Sequence, residues 1–452
     1  MRAAVRLLAV AALVAGPVTA PTAVAVTPPP LDDSRLPAAG PPAPPRPTAQ
    51  RDDCVAAPPV SPTSSAPGQL TGIDLPTVWA LTRGAGQTIA VIDTGVARHR
   101  RLPHLVPGGD YVSTQDGAAD CDGHGTIVAG IIGAAPDSAD PAAFTGIAPD
   151  ATLLAIRQSS NKFRAIDDPA GSGFGDVATM ASAVRTAADL GATVINISSV
   201  ACLPADADLD DRALGAALAY AVDVKNVVVV TAAGNVGGPG QCARQNPRDS
   251  ANWDDVAVVV SPAWYDDYVL TVGSVSADGG ASDFTLAGPW VDVAAPGEAI
   301  VSLAPAADGL VNTTASRSFS PESAPISGTS YAAPVVSAVA ALVRARSPEL
   351  TARQVMRRIE DTALHPAAGW DPAVGHGVVD ALAAVTDAGA AGHGMASGTP
   401  VRMATSAPAA DRPPGRTAVQ GAVLCFAVTA GIVVVSVSIG RLRRRDEAVP
   451  GD

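Results

Sequence analysis

Three short blocks each place one reactive side chain among very small neighbours. They are Ile92-Asp93-Thr94-Gly95, Asp122-Gly123-His124-Gly125-Thr126 and Ser327-Gly328-Thr329-Ser330-Tyr331-Ala332-Ala333-Pro334. Small neighbours let a substrate backbone approach a nucleophile. A serine hydroxyl is a weak nucleophile near neutral pH and needs a base within hydrogen-bond reach. A histidine base needs a carboxylate to hold its tautomer and stabilise its cation. A serine that opens a helix also presents its own backbone N–H to a developing oxyanion. Each block alone has another reading. Asp-Thr-Gly also occurs in aspartic proteases, but these need a paired carboxylate, and the chain has no second Asp-Thr-Gly or Asp-Ser-Gly. His124 could be a core histidine or a metal ligand, yet position 128 is Val, so the helical zinc spacing is missing. Ser330 could be a simple helix N-cap. The three together supply a nucleophile, a base and the acid that orients the base.

Such a constellation needs a rigid frame. Short β-rich apolar runs alternate with Ala-rich helical runs through the middle of the chain. Strands are expected at 88–92, 151–156, 193–198, 227–232, 269–274 and 290–293. Helices are expected at 125–135, 177–190, 214–224, 331–345 and 352–362. Near-continuous apolar strands alternating with helices predict an α/β fold, a doubly wound and mostly parallel sheet with helices on both faces. Sites in such sheets form outside the carboxyl ends of the strands. Asp93 and Asn235 each follow a predicted strand there.

Asp, then His, then Ser is the chain order of subtilisin. The blocks resemble the subtilisin-like (subtilase) serine proteases over about residues 70–387. The resemblance includes Gly146-Ile147-Ala148-Pro149, Asn196-Ile197-Ser198, Ala232-Ala233-Gly234-Asn235, Ala295-Pro296-Gly297 and Gly375-His376-Gly377-Val378-Val379-Asp380. It implies a subtilisin-like fold and a serine endopeptidase. Asp93 would orient the histidine, His124 act as general base and acid, and Ser330 attack. Asn235 would donate its side-chain amide to the oxyanion beside the Ser330 N–H. The resemblance lines the substrate cleft with Ser198, Ser199, Val200, Ala232, Ala233 and Gly234. Many family members carry Ser-Leu-Gly-Gly where this chain has Ser198-Ser199-Val200-Ala201, so a side-chain preference does not transfer. Three stretches exceed a minimal family member, 159–175, 236–268 and 304–324.

The 452 residues are 47% apolar and 16% charged, enough for a large core. The net charge of −13 argues against a nucleic-acid partner. Arg2 and Arg6 precede an apolar run and the small-residue site Ala23-Val24-Ala25, so 1–25 reads as a signal peptide. Residues 26–69 are Pro-rich and expected to be extended, polyproline-like and unfolded. The peptidase domain is placed at 70–387 and a Gly/Ala/Pro linker at 388–417. Residues 418–440 contain no charged residue. As a helix they would reach roughly 34 Å, enough to cross a bilayer. Arg441, Arg443, Arg444 and Arg445 follow, so the tail at 441–452 is expected in the cytoplasm and the domain outside.

This layout narrows the resemblance to the mycosins, membrane-anchored subtilases of type VII secretion systems. It implies cleavage of secretion substrates by a protein of the cell membrane. The alternative it implies is a structural subunit that stabilises the secretion membrane complex, with proteolysis secondary. The expected partners are protein substrates, subunits of that complex and, through 418–440, the lipid bilayer. Four cysteines lie outside the span, Cys54, Cys121, Cys202 and Cys242, while Cys425 lies within it. Cys202 and Cys242 follow strands expected to be neighbours, so they are expected to pair, leaving Cys54 for Cys121. A bridge at Cys54 would make the extension a permanent wrap on the domain, where a removable inhibitor is the usual arrangement. No cofactor or metal is indicated. The acidic run 206–211 lacks the Gly and Glu of an EF-hand calcium loop, and a solvated loop explains it more simply.

Overall fold

The computed structural model describes residues 26–55, 67–137, 144–207, 209–238, 241–314 and 324–386. The expected signal peptide, linker, membrane span and cytoplasmic tail lie outside the described residues. Among the described residues no helix is long and apolar enough to cross a membrane.

The apolar runs form a seven-stranded sheet. Its strands are β2 (Thr88–Asp93), β3 (Leu105–Asp110), β4 (Thr152–Arg157), β6 (Val194–Ile197), β8 (Val228–Ala232), β10 (Leu270–Val275) and β11 (Val293–Pro296). The order is β11-β10-β8-β6-β2-β4-β3, and every pairing is parallel. The inner strands are buried almost throughout, as strands covered on both faces must be. From β2 the chain turns one way to β3 and β4 and the other way to β6, β8, β10 and β11. The β2–β6 junction is therefore the switch point, where a site is expected.

After the short α1 (Leu75–Trp79), two helices open on reactive residues, α2 (His124–Gly133) and α5 (Thr329–Arg346). They pack together, and α5 lies along β6, β8, β10 and β11. Its side chains are buried without interruption from Tyr331 to Val343, so it has no polar stripe and behaves as a core helix. Helices α3 (Val177–Asp189) and α4 (Arg212–Ala219) pack on each other. The Asp176 capping box starts α3, its carboxylate accepting from Thr179 N–H at 2.8 Å.

Three expectations need correction. The helix expected to reach residue 224 ends as α-helix at Ala219 and widens into a π turn over Tyr220–Val224. The strand expected at 290–293 begins only at Val293. Val291 instead donates to the Gly288 carbonyl in a turn that buries Trp290 beside Trp253. The extension is mostly extended but not free. Its β1 (Thr48–Gln50) pairs antiparallel with β5 (Phe163–Ala165), so the long stretch 159–175 is the surface that receives it. Pro42 lies against Gly109 of edge strand β3, where a Cβ would come within 2.2 Å of the proline ring.

Candidate active site

Asp93 is the last residue of β2 and is fully buried. Its Oδ1 lies 2.7 Å from His124 Nδ1 and also accepts from Thr94 N–H at 2.7 Å. Its Oδ2 is buried with no hydrogen-bond partner among the described residues. A carboxylate buried beside the imidazole acts through a low local dielectric, which strengthens its field on the ring. His124 is the first helical residue of α2, placed by Gly123 at φ 86°. Gly125 makes the close approach possible, since a Cβ there would sit 2.0 Å from the Gly95 carbonyl oxygen. Burial pulls the His124 pKa down, but the charge and hydrogen bond of Asp93, helped by Asp120 and Asp122, outweigh it. The ring therefore titrates above the ordinary imidazole value. It keeps 27% side-chain exposure, so it can be reached from the cleft.

Ser330 is the second residue of α5. Its hydroxyl donates to the Ser198 carbonyl at 2.9 Å rather than to His124, a resting arrangement that the substrate-bound state must rearrange. The Tyr331 ring lies 5.2 Å from the His124 ring, which fixes the two helix starts side by side. Pro334 sits four residues after Ser330 and has no N–H to give the Ser330 carbonyl. That carbonyl instead accepts from the Ser198 hydroxyl at 2.8 Å. Ser198 is in turn reached by Asn196 Nδ2 at 2.9 Å, and Ser337 donates to Asn196 Oδ1 at 2.8 Å. A buried polar chain thus ties β6 to α5.

Asn235 follows β8. Its Oδ1 accepts from Thr329 N–H at 2.9 Å and from Thr329 Oγ1 at 3.1 Å. With the amide oxygen held by two donors, Nδ2 is the end left for an incoming oxygen. Beside it, Gly234 N–H donates to Thr329 Oγ1 at 3.2 Å. Ser198, Ser199 and Val200 follow β6, and Ala232, Ala233 and Gly234 close β8. These two neighbouring strand ends therefore flank Ser330.

One important residue escaped the sequence reading. Asp120 is the fourth residue before His124 and accepts five hydrogen bonds. They come from Thr94 Oγ1, the N–H groups of Asp122, Gly123 and Thr126, and Thr126 Oγ1, at 2.7–3.2 Å. It brackets the Asp93 loop to the start of α2. Burial pushes its pKa up to about 6 against the pull of these donors. The signal available was an acidic residue just before Asp122-Gly123-His124, and nothing distinguished it from a surface aspartate.

The cysteines stand as Cys54–Cys121, S–S 2.01 Å, and Cys202–Cys242, S–S 1.97 Å. In the acidic run, Asp210 pairs with Arg212 at 2.7 Å. Asp211 accepts from Ser261 Oγ, Trp264 Nε1 and Tyr265 Oη. These two carboxylates are engaged by the chain's own donors. Of the other long stretches, 236–268 supplies Cys242 and β9 (Val258–Ser261), which pairs with β7 (Ala201–Pro204). The stretch 304–324 places Pro305 against Gly123, next to His124.

An acid–base pair at the switch point of a parallel sheet, beside a serine opening a buried helix, defines a subtilisin-like serine endopeptidase. The subtilase family profile matches residues 84–377, and the chain belongs to that family and, within it, to the mycosins. It is 58% identical to Mycosin-4 of Mycobacterium tuberculosis over 99% of this chain and 98% of the relative. The MycP3 protease from the type VII (ESX-3) secretion system superposes with a TM-score of 0.73 at 45% identity, covering 80% of this chain and 99% of that one. A chain of an intact ESX-5 inner membrane complex superposes with a TM-score of 0.74 at 39% identity, covering 92% and 100%.

Proposed function

We propose that the chain is the membrane-anchored protease of a type VII secretion system and cleaves secretion substrates through Asp93, His124 and Ser330. The observation that carries the triad is the 2.7 Å bond from Asp93 to His124 Nδ1 next to a helix opened by Ser330. His124 takes the Ser330 proton as Oγ attacks the peptide carbonyl, then returns it to the leaving amine. Asp93 holds the ring with Nε2 toward the serine and stabilises the imidazolium. Asn235 Nδ2 and the Ser330 N–H receive the oxyanion.

In this reading residues 418–440 cross the cell membrane, the peptidase domain stands outside, and the Arg-rich tail lies in the cytoplasm. The extension is a permanent strap, supported by the β1–β5 pairing and the Cys54–Cys121 link. A second reading has a specific support, the likeness to a chain within an ESX-5 inner membrane complex. The protein would also serve as a structural subunit of its own secretion complex. Ser330→Ala in the native host tests both. Loss of substrate processing with secretion intact, against loss of secretion on deleting the whole chain, establishes protease and subunit as separable roles. Processing that continues in Ser330→Ala overturns the triad.

A further inference from the structure

Cys202 and Cys242 lie in the segments that follow the two strand ends flanking Ser330. Cys202 is in β7, four residues beyond Ser198, whose carbonyl and hydroxyl both bond Ser330. Cys242 closes the loop that begins at Asn235. Its N–H donates to the Asn235 carbonyl at 2.8 Å, and it bridges Val236. Both sulfurs pass under Gly234, where a Cβ would come within 3.1 Å of Cys242 Sγ and 3.6 Å of Cys202 Sγ. A path therefore runs from the Ser198 segment, covalently through the bridge to Cys242, and by one hydrogen bond to the backbone of Asn235.

The other restraints on Asn235 are hydrogen bonds. Thr329 holds its side-chain oxygen, and the neighbouring Val236 N–H reaches the Phe284 carbonyl at 2.8 Å. Gly237 and Gly238 follow Asn235 and add no side-chain restraint of their own. Oxyanion donors act only when held in place before the charge develops, and small displacements cost large factors.

We infer that the Cys202–Cys242 disulfide is a positioning element of the oxyanion site, holding Asn235 at a fixed distance from Ser330. The inference rests on the proposed role of Asn235. Cys242 is 4% exposed and Cys202 half-buried, so the bridge belongs to the wall of the site and is not a surface staple.

The test is a four-protein cycle on the full-length chain in detergent, read as kcat and KM on an internally quenched peptide. The proteins are wild type, Cys202→Ala/Cys242→Val, Asn235→Ala and the triple variant. The valine keeps an apolar contact under Gly234. Asn235→Ala should lose about 10²–10³ in kcat, the range for removing one oxyanion donor in subtilisin. The bridge variant should lose roughly tenfold in kcat with KM little changed, as expected for a misplacement well under 1 Å. The triple variant should be no slower than Asn235→Ala alone. An unchanged kcat in the bridge variant, or a loss that multiplies onto Asn235→Ala, overturns the inference. No effect of Asn235→Ala overturns the oxyanion assignment instead. Should the bridge variant fail to fold, folded wild type is reduced with a phosphine and the opened bridge identified by alkylation. Kcat that survives opening of Cys202–Cys242 again overturns the inference, and the tenfold loss sustains it.

Discussion

At the residue scale, the chemistry depends on one carboxylate. Asp93 has one hydrogen-bonded oxygen facing His124, and its second oxygen is buried without a partner among the described residues. Burial lowers the His124 pKa, and the charge of Asp93 more than restores it. The base must be neutral to accept the serine proton, so activity is lost as pH falls through this raised pKa. The acid limb of kcat/KM should therefore lie above the ordinary imidazole range. Asp93→Asn removes the charge and favours the wrong tautomer. It should lower kcat by about 10⁴ and move the acid limb to lower pH. A pH–rate profile of the residual activity checks the direction, and a limb that stays in place or moves up would contradict the account. Asp93, His124 and Ser330 were legible from the sequence because each stands in a block of tiny residues with a distinctive order. Asp120 was not legible, because its role joins a local turn around it to Thr94 Oγ1, which only folding brings near.

At the element scale, the site depends on how closely α2 can approach the end of β2. Gly125 and Gly95 are the contact. A Cβ on Gly125 would stand 2.0 Å from the Gly95 oxygen and 3.0 Å from Asp93 Cβ. Gly125→Ala must push the start of α2 outward, taking His124 with it, and Asp120 resists that motion. A shift of about 1 Å is enough to cost on the order of 10² in rate. The variant should remain folded with kcat down by that factor. The downfield Nδ1 proton signal of His124 should weaken or move, and an unaltered signal with unaltered kcat would show that the contact has slack. The helices and inner strands of this frame were readable because burial on all sides demands apolar runs, as in β6, β8 and α5. Edge strand β3 was not readable. It carries Pro107, Gly108 and Gly109, residues that suit turns and are tolerated in a strand only at an edge. The β1–β5 pair was hidden for a related reason, since three-residue strands are too short to leave a periodic signal.

For the folded unit that holds the site, the N-terminal extension decides how much of the domain is held from outside its own core. Three kinds of non-covalent contact and one disulfide fasten it. β1 adds to β5, Arg46 pairs with Asp167 at 3.2 Å, and Arg185 Nη1 donates to the Pro37 carbonyl at 3.3 Å. The pairs are exposed or short and contribute little singly. The Cys54–Cys121 bridge is different, because it links residues 67 apart and limits the unfolded chain. A disulfide typically stabilises by about 2–4 kcal/mol, and longer loops lie toward the upper end. Val55 N–H also reaches the Cys121 carbonyl at 2.9 Å, so the extension is fastened three residues before His124 in the chain. The position of His124 itself is set by Gly125 and by Asp120, whose hydrogen-bond donors all lie outside the extension. Cys54→Ser/Cys121→Ser should therefore lower the thermal midpoint by several degrees and expose residues 26–55 to early cleavage by an added protease. kcat on a short peptide should stay within about threefold, since no group that touches substrate has moved. A rise in kcat with an unchanged midpoint would make the extension an inhibitor of the cleft. A fall in midpoint with kcat preserved makes it a strap, and separates what this segment does for the fold from what the triad does for the chemistry.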